Sequence, residues 1–370
     1  MRGKQLAQPD YVFMTIAGAI IIFGLVMLAS AAGPMGYERF ADSFYYVKHQ
    51  LIFGLVPGAI ALYVFYRIPY AKWRDYAFWL LIITIVLLVL VFVPGIGAEF
   101  GTSHSWINLF GLTSVQPSEF VKLTFLFYLA AWLEIRGKRG VSDFVSGLLP
   151  FLFVLGSIML LMILQPDVGT MSIIVVMSLV VYFVAGAPMW HIGLLTGGCL
   201  GLFLLLIKLA PYRAARFTTF LHPELDPQGI GYHINQALLA IGSGGIMGLG
   251  YGHSRQKFQY LPEVFGDSIF AVIAEELGFV LCLVLVGLFV ALAWRGLRIA
   301  QGAPDNFARY VVIGIIAWII IQAFVNIGSM VGLLPMTGVP LPFVSYGGTS
   351  LVVLMAAMGV ILNISRSAKI

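Results

Sequence analysis

Apolar residues in this chain fall in long unbroken runs. Ten such runs extend approximately over Tyr11–Ala31, Val47–Tyr66, Tyr76–Val93, Ser118–Leu133, Leu148–Leu164, Val168–Ala185, Trp190–Leu209, Ser268–Trp294, Tyr310–Leu334 and Phe343–Leu362. Most are close to the about 20 residues a helix needs to cross the hydrocarbon core of a bilayer. The pattern predicts an all-α polytopic membrane protein of about ten transmembrane helices. It also predicts one membrane domain over residues 1–370, since the spans use half or more of the chain. The first run outlasts the apolar region of a signal peptide, so despite its closing small residues (ASAAG) it reads as a retained first helix. Residues 210–266 form the longest interval between runs and are rich in Gly, Pro, aromatic and charged residues, a composition suited to a functional loop. Within it, YHINQALLAIGSGG has helical spacing before a glycine-rich turn and predicts a short helix at the membrane surface.

Charge sets the expected orientation. Arg2, Lys4, Arg67, Lys72, Arg74, Arg136, Lys138, Arg139, Arg295, Arg298, Arg309, Arg366 and Lys369 fall on alternating ends shared with both termini, so both termini are expected in the cytoplasm. The long loop is then extracytoplasmic, as is the bias of acidic residues such as Asp42, Asp167, Glu263 and Asp267. The chain is 60% apolar and only 10% charged, with mean hydropathy +0.98, which excludes a soluble domain. Its net charge of +5 is explained by topology and implies no nucleic-acid partner. Cys199 and Cys282 lie in apolar runs without metal-ligand spacing, so neither a disulfide framework nor a zinc site is expected. No internal repeat is evident, which counts against many transporter folds.

An ionisable side chain in hydrocarbon needs a partner or water. In QPSEFVK, Pro117 suits a first helical turn, and Glu119 and Lys122 follow on one face. They form an ion pair, or else Lys122 faces a cavity that receives an anionic group. In QPDVGT, Asp167 either caps the next helix or, with Gln165, shapes a substrate groove. In YLPEVFGDSIFAVIAEELG, Glu263 and Asp267 precede a long helix that carries Glu275 and Glu276 roughly 12 Å deeper, at about 1.5 Å per residue. Two adjacent carboxylates at that depth resist joint ionisation, and Lys122 is the candidate partner. Asp267 suits either an N-cap or a general base at the membrane boundary. The irregular GLLPMTGVPLPFVSYGGTS, including Ser345, should line a cavity or pack under the long loop. Gln322 and Asn326, one turn apart, read as hydrogen-bonding glue between helices.

These segments occur together in one order: WINL, QPSEF, QPDVGT, YRAARFTTFLHPELDPQGIGYHINQ, AIGSGG, SRQKFQYLPE, AEELGF, NIG and PLPFVSYGG. From about Trp106 to the C-terminus the chain resembles the SEDS family (FtsW, RodA, SpoVE), and SRQKFQYLPE with the closing LNISR is closer to the cell-division FtsW branch. The resemblance implies a peptidoglycan glycosyltransferase of the bacterial inner membrane that joins lipid II units on the outer face. The family's essential acid four residues after the Glu of LPE corresponds to Asp267. Family members usually read TDFIF where this chain reads GDSIF, so Gly266 and Ser268 depart from the pattern.

The chemistry implied is one inverting displacement that converts an α-linked donor into a β-1,4-linked product. Asp267 would take the proton from the acceptor 4-hydroxyl. The leaving pyrophosphate would be neutralised by Lys122, Arg213, Arg216 or a divalent cation, Mg or Mn; Arg213 and Arg216 equally suit interfacial anchoring. The candidate substrate-binding set is Glu119, Lys122, Gln165, Asp167, Arg213, Arg216, Glu263 and Ser345, with Glu275, Glu276 and Asn326 as supporting structure. The partners implied are lipid II and polyprenyl-pyrophosphate-linked glycan, membrane lipids, a class B penicillin-binding protein, and divisome or elongasome proteins. Two other readings remain open from sequence: a flippase or transporter of the lipid-linked precursor, and a non-catalytic scaffold for the transpeptidase.

Overall fold

The computed structural model describes residues 8–93, 97–100, 103–109, 113–209, 211–222, 226 and 229–369. Its helices are α1 (Tyr11–Phe40), α2 (Tyr45–Arg67), α3 (Tyr70–Leu90), α4 (Pro117–Ser142), α5 (Phe144–Leu164), α6 (Val168–Val184), α7 (Met189–Leu209), α8 (Pro211–Leu221), α9 (Ile230–Gly244), α10 (Ile269–Gln301), α11 (Asn306–Met330) and α12 (Gly348–Ser365). Seven of these are long and apolar enough to cross a membrane: α1, α2, α3, α5, α10, α11 and α12. Helix α6 and the Met189–Leu205 part of α7 are shorter apolar segments, and α4 carries the charges Glu119, Lys122 and Glu134. All ten apolar runs of the sequence are thus largely helical, and the chain is a multi-pass membrane protein.

The centre is formed by α11 and α12, of whose apolar windows 67% and 78% is buried, against 17% for α2 and 22% for α3. Side chains that cannot be solvated in lipid explain the contrast: the outer helices present apolar residues all round, and the inner ones carry the polar groups that must be paired. One end of the bundle is tied by polar contacts between helix ends. Asp10 caps α1 and pairs with Arg295 of α10 at 2.8 Å, while its amide donates to Ser365 of α12 at 3.1 Å. At this end Tyr70 donates to Asp305, the cap of α11, at 2.8 Å, and Arg74 pairs with Glu134 of α4 at 3.3 Å. The other end collects the N-termini of α4, α6, α10 and α12.

Two features go beyond the hydropathy pattern. A three-stranded antiparallel sheet, β1 (Gly97–Phe100), β2 (Ser103–Leu109) and β3 (Thr113–Val115), is ordered β1-β2-β3 with Asn108 opposite Ser114. Its segments are short and mixed in polarity, so they give no hydrophobic period. It leads into α4, and Ser105 donates to the Gln165 carbonyl at 2.9 Å.

The second feature is a break in α10 at Gly278, whose φ of 74° lies in the left-handed region. Residues 245–250 of the long loop fill that break. The amides of Leu249 and Gly250 donate to the Glu275 and Glu276 carbonyls at 3.0 and 2.9 Å, and those of Phe279 and Val280 donate to the Gly245 and Ile246 carbonyls at 3.0 and 3.2 Å. The backbone groups freed by the break are thereby satisfied inside the protein, as a low-dielectric setting requires. Only glycine fits at the crossing, because a Cβ on Gly248 (φ +79°) would overlap the Glu276 carbonyl, and one on Gly278 would overlap Gly248. Gly278→Ala is expected to cost about 1–3 kcal/mol from backbone strain alone and to lower the thermal midpoint of the detergent-purified protein. An unchanged midpoint would mean that loop and helix part without cost.

Candidate functional site

Asp267 lies in the turn that ends at α10. Glu263 opens this turn with φ of 48°, and its carbonyl accepts from the amides of Gly266 at 2.9 Å and Ser268 at 3.2 Å. Glu263 itself is exposed. Tyr46, Phe265 and Tyr346 brace the turn from behind, with ring centroids of Tyr46 and Phe265 4.4 Å apart and the Tyr346 amide donating to the Phe265 carbonyl at 2.8 Å. Burial holds the Tyr346 phenol well above its ordinary range, so it stays neutral beside His49 Nδ1, 2.9 Å away. On the other side, Asn326 of α11 donates to the Asp267 carbonyl at 2.7 Å and to that of Val339 at 2.8 Å.

The Asp267 carboxyl is partly exposed and its two oxygens differ. Ser268 Oγ donates to Oδ1 at 3.3 Å, and Oδ2 lies near Gly338, whose φ of +70° turns the proline-rich loop past the carboxylate. Ser268, one residue later than Asp267, occupies the cap position of α10 and makes no side-chain capping bond; its hydroxyl is instead 2.6 Å from His233 Nε2 of α9.

The loop after α11 carries irregular backbone into the bundle, where it is buried by protein. Gln322 Nε2 donates to the Pro340 carbonyl at 2.9 Å, one turn along α11 from the Asn326 contact with Val339. Ser345 is buried and structural here, accepting from the Leu341 amide at 2.8 Å.

Lys122 and Glu119 form an ion pair of 2.6 Å, and each is nearly inaccessible. The ammonium also donates to Gln322 Oε1 at 3.1 Å and lies 4.8 Å from the centroid of the Trp318 ring. Of the two readings of QPSEFVK, the ion pair is the one present, and a cavity-facing Lys122 would require it to open. Asp167 caps α6 by accepting from the Thr170 amide at 3.0 Å, and its second oxygen accepts from Gln116 Nε2 at 3.1 Å and Ser118 Oγ at 3.0 Å. Gln165 is fully buried and donates to the Leu88 carbonyl at 2.8 Å.

The expectation that Lys122 partners Glu275 or Glu276 is incorrect. Lys257, from the long loop, is the partner of Glu276 at 2.8 Å, and it also donates to Ser30 at 3.0 Å and to the Gly252 carbonyl at 2.8 Å. Glu276 further accepts from Ser30 Oγ and the Gly252 amide, while Glu275 accepts from Ser254 Oγ at 2.5 Å and the Arg255 amide at 2.9 Å. The two carboxylates thus remain compatible because the loop supplies one cation and several amides. Sequence reading missed Lys257, which sits in SRQKFQYLPE without any local sign of burial, and missed His233; it marked Ser268 as a departure from the family pattern without seeing its bond to His233. Arg213 and Arg216 lie on α8 with side chains outside the described residues. No group of three or more His, Cys, Asp or Glu converges as a metal-ligand set among the described residues, so nothing on these side chains builds a dedicated Mg or Mn cage.

Several buried polar atoms have no hydrogen-bond partner among the described residues, including Asn326 Oδ1 and Thr337 Oγ1 next to the Gly338–Pro340 bend, and Glu119 Oε2 and Gln165 Oε1. Each costs about 1–3 kcal/mol if left unmet. Together with the N-termini of α4, α6, α10 and α12, whose dipoles favour negative charge, they make a polar region with one partly exposed carboxylate at its rim.

The chain matches known proteins over nearly its whole length. Residues 10–370 match the FtsW/RodA/SpoVE cell cycle protein family, and the chain belongs to that family. It is 44% identical to stage V sporulation protein E of Bacillus subtilis, covering 98% of each chain. It is 39% identical to a probable peptidoglycan glycosyltransferase FtsW of Trichlorobacter lovleyi, covering 99% of this chain and 95% of that one. Among solved structures, it is similar to a chain of a peptidoglycan synthase complex that coordinates polymerization and crosslinking (TM-score 0.80, 29% identity, 97% and 98% covered). It is also similar to the rod shape determining protein RodA of Thermus thermophilus (TM-score 0.72, 28% identity, 97% of each covered).

Proposed function

We propose that this protein polymerises lipid II into glycan strands, with Asp267 as the general base. The observation that carries the reading is the Asp267 carboxylate itself, set at the head of α10 with Oδ2 beside the Gly338 bend where helix N-termini converge. The acceptor GlcNAc 4-hydroxyl gives its proton to Asp267 while its oxygen bonds to the donor MurNAc anomeric carbon. The bond from that carbon to the polyprenyl pyrophosphate breaks with inversion. No enzyme nucleophile is needed, because one displacement gives the β-1,4 linkage. Charge developing on the pyrophosphate is met by the amides of the converging N-termini, with Arg213 and Arg216 on α8 as further cations; Mg or Mn, if bound, would add Lewis-acid neutralisation there.

The tails enter sideways between helices, which an enzyme inside the bilayer permits. Both termini are cytoplasmic, residues 210–266 are extracytoplasmic, and the site faces outward in the bacterial inner membrane, in keeping with the positive-inside distribution. The polymerase works with a single-pass class B penicillin-binding protein of the division or elongation machinery, a reading supported by the likeness to a synthase complex.

The test uses purified full-length protein in detergent with purified lipid II, with and without the cognate penicillin-binding protein. Glycan polymer formed in this single compartment is the expected product. Absence of polymer under every partner condition, alongside precursor movement across vesicles, would replace polymerisation by transport.

A further inference from the structure

We infer that Ser268 and His233 are positioning residues for Asp267, forming a hydrogen-bonded chain that runs from the long loop into the catalytic carboxylate. The inference rests on the general-base reading above and extends it to residues nothing else assigns. Three observations carry it. His233 Nε2 is 2.6 Å from Ser268 Oγ, Ser268 Oγ is 3.3 Å from Asp267 Oδ1, and Ser268 is fully buried.

The direction of the chain follows from chemistry. An ionised carboxylate only accepts, so the Ser268 hydroxyl donates to Oδ1 and its oxygen must receive the proton on His233 Nε2. The imidazole then lies as the tautomer that carries hydrogen on Nε2, or as the imidazolium. In either form it polarises the hydroxyl toward Asp267. Oδ1 is thereby held in place, with Oδ2 on the side of Gly338.

The arrangement also connects two separate parts of the protein. His233 belongs to the first turn of α9, which Asp226 heads by accepting from the Gly229 amide at 3.0 Å, while Ser268 caps α10. Movement of α9 would therefore release Oδ1. At this position the family resemblance expects Phe, which has no hydroxyl, so this chain has a polar link where a packing residue is usual. Among the described residues, the ionisable groups around the chain are Glu263 in the same turn, Asp226 at the head of α9, Tyr346 and His49 behind Phe265, and the Lys122–Glu119 pair beyond Gln322 and Asn326.

The test measures kcat and KM for lipid II across pH with wild type, Ser268→Ala, His233→Ala, the double variant and Ser268→Thr. Removing a donor to an ionised carboxylate destabilises its charged form, so the acidic limb of the rate profile should move up by about half to one pH unit. The expected loss in kcat is roughly tenfold, with KM little changed. The double variant should be no worse than the worse single, since both act through one chain of bonds. Threonine, which keeps the hydroxyl, should restore the wild-type limb. An unmoved limb, or losses that simply add, overturns the proposal. If Ser268→Ala unfolds, His233→Gln and Ser268→Thr carry the same test through the pH profile. Failure of the general-base reading is separable, because it shows as an active Asp267→Asn.

Discussion

Asp267→Asn is expected to lower glycan polymerisation by roughly 10²–10⁴-fold, the contribution of a positioned general base. The substitution is nearly isosteric and should leave the fold intact. Asn326 contacts the backbone carbonyl at this position and is indifferent to the side chain, and an amide oxygen can still accept from Ser268. What is lost is the basic oxygen at the Gly338 bend. The effect should fall on kcat, since the carboxylate takes the proton only as the new bond forms, and leave KM for lipid II little changed. Asp267→Glu should retain more activity than Asn but less than wild type, because its carboxylate is basic yet displaced by one methylene. The measurement is polymer length and rate from purified lipid II, with thermal midpoints of all three proteins confirming equal folding. Near wild-type polymerisation by Asp267→Asn would leave Asp267 a turn residue and send the search for a base to Glu263, the exposed carboxylate of the same turn.

Much of this architecture was legible in the sequence, since a helix in lipid satisfies its backbone internally and shows as a bare run of apolar residues. The loop helix read from YHINQALLAIGSGG is present as α9, whereas Gln322 and Asn326, read as glue between helices, mostly bond carbonyls of the loop after α11 and of the Asp267 turn, with Gln322 alone also reaching another helix through Lys122. Asp267 was singled out in the sequence because the motif that carries it is local. The partners were not. Lys122 and Lys257 are both lysines near acidic residues in the sequence, and only the return of residues 245–257 against α10 decides that Lys257 meets Glu276 while Lys122 stays with Glu119. His233 and Ser268 are separated by 35 residues, and no local pattern signals that the first turn of α9 reaches the cap of α10. The sheet between α3 and α4 was invisible for a different reason: strands of three to seven residues, partly polar, carry too few positions to show a period of two.

The largest effect on stability is expected at Lys257. Glu276 is fully buried and Lys257 nearly so, and the ammonium is the one cation bonded to that carboxylate among the described residues. Lys257→Ala leaves Glu276 facing Ser30 and the Gly252 and Ser254 amides without a counter-charge. Breaking one side of a buried pair costs about 3–5 kcal/mol, while replacing both partners costs much less because no charge is left stranded. Lys257→Met combined with Glu276→Gln should therefore be more stable than Lys257→Ala alone, with a favourable coupling of about 0.5–3 kcal/mol when the full cycle is measured.

The damage should also be local before it is global. Glu275 and Glu276 hold the amides of Gly252, Ser254, Arg255 and Gln256, and the same stretch of α10 is stitched to residues 245–250, so an unpaired Glu276 loosens the segment that joins α9 to the Asp267 turn. Hydrogen exchange in Lys257→Ala should rise first across residues 245–258 and the end of α9, with polymerisation lost at temperatures where α11 and α12 remain protected. Uniform loss of protection across the bundle would mean instead that the pair stabilises the whole fold, and that the loop has no separate melting step.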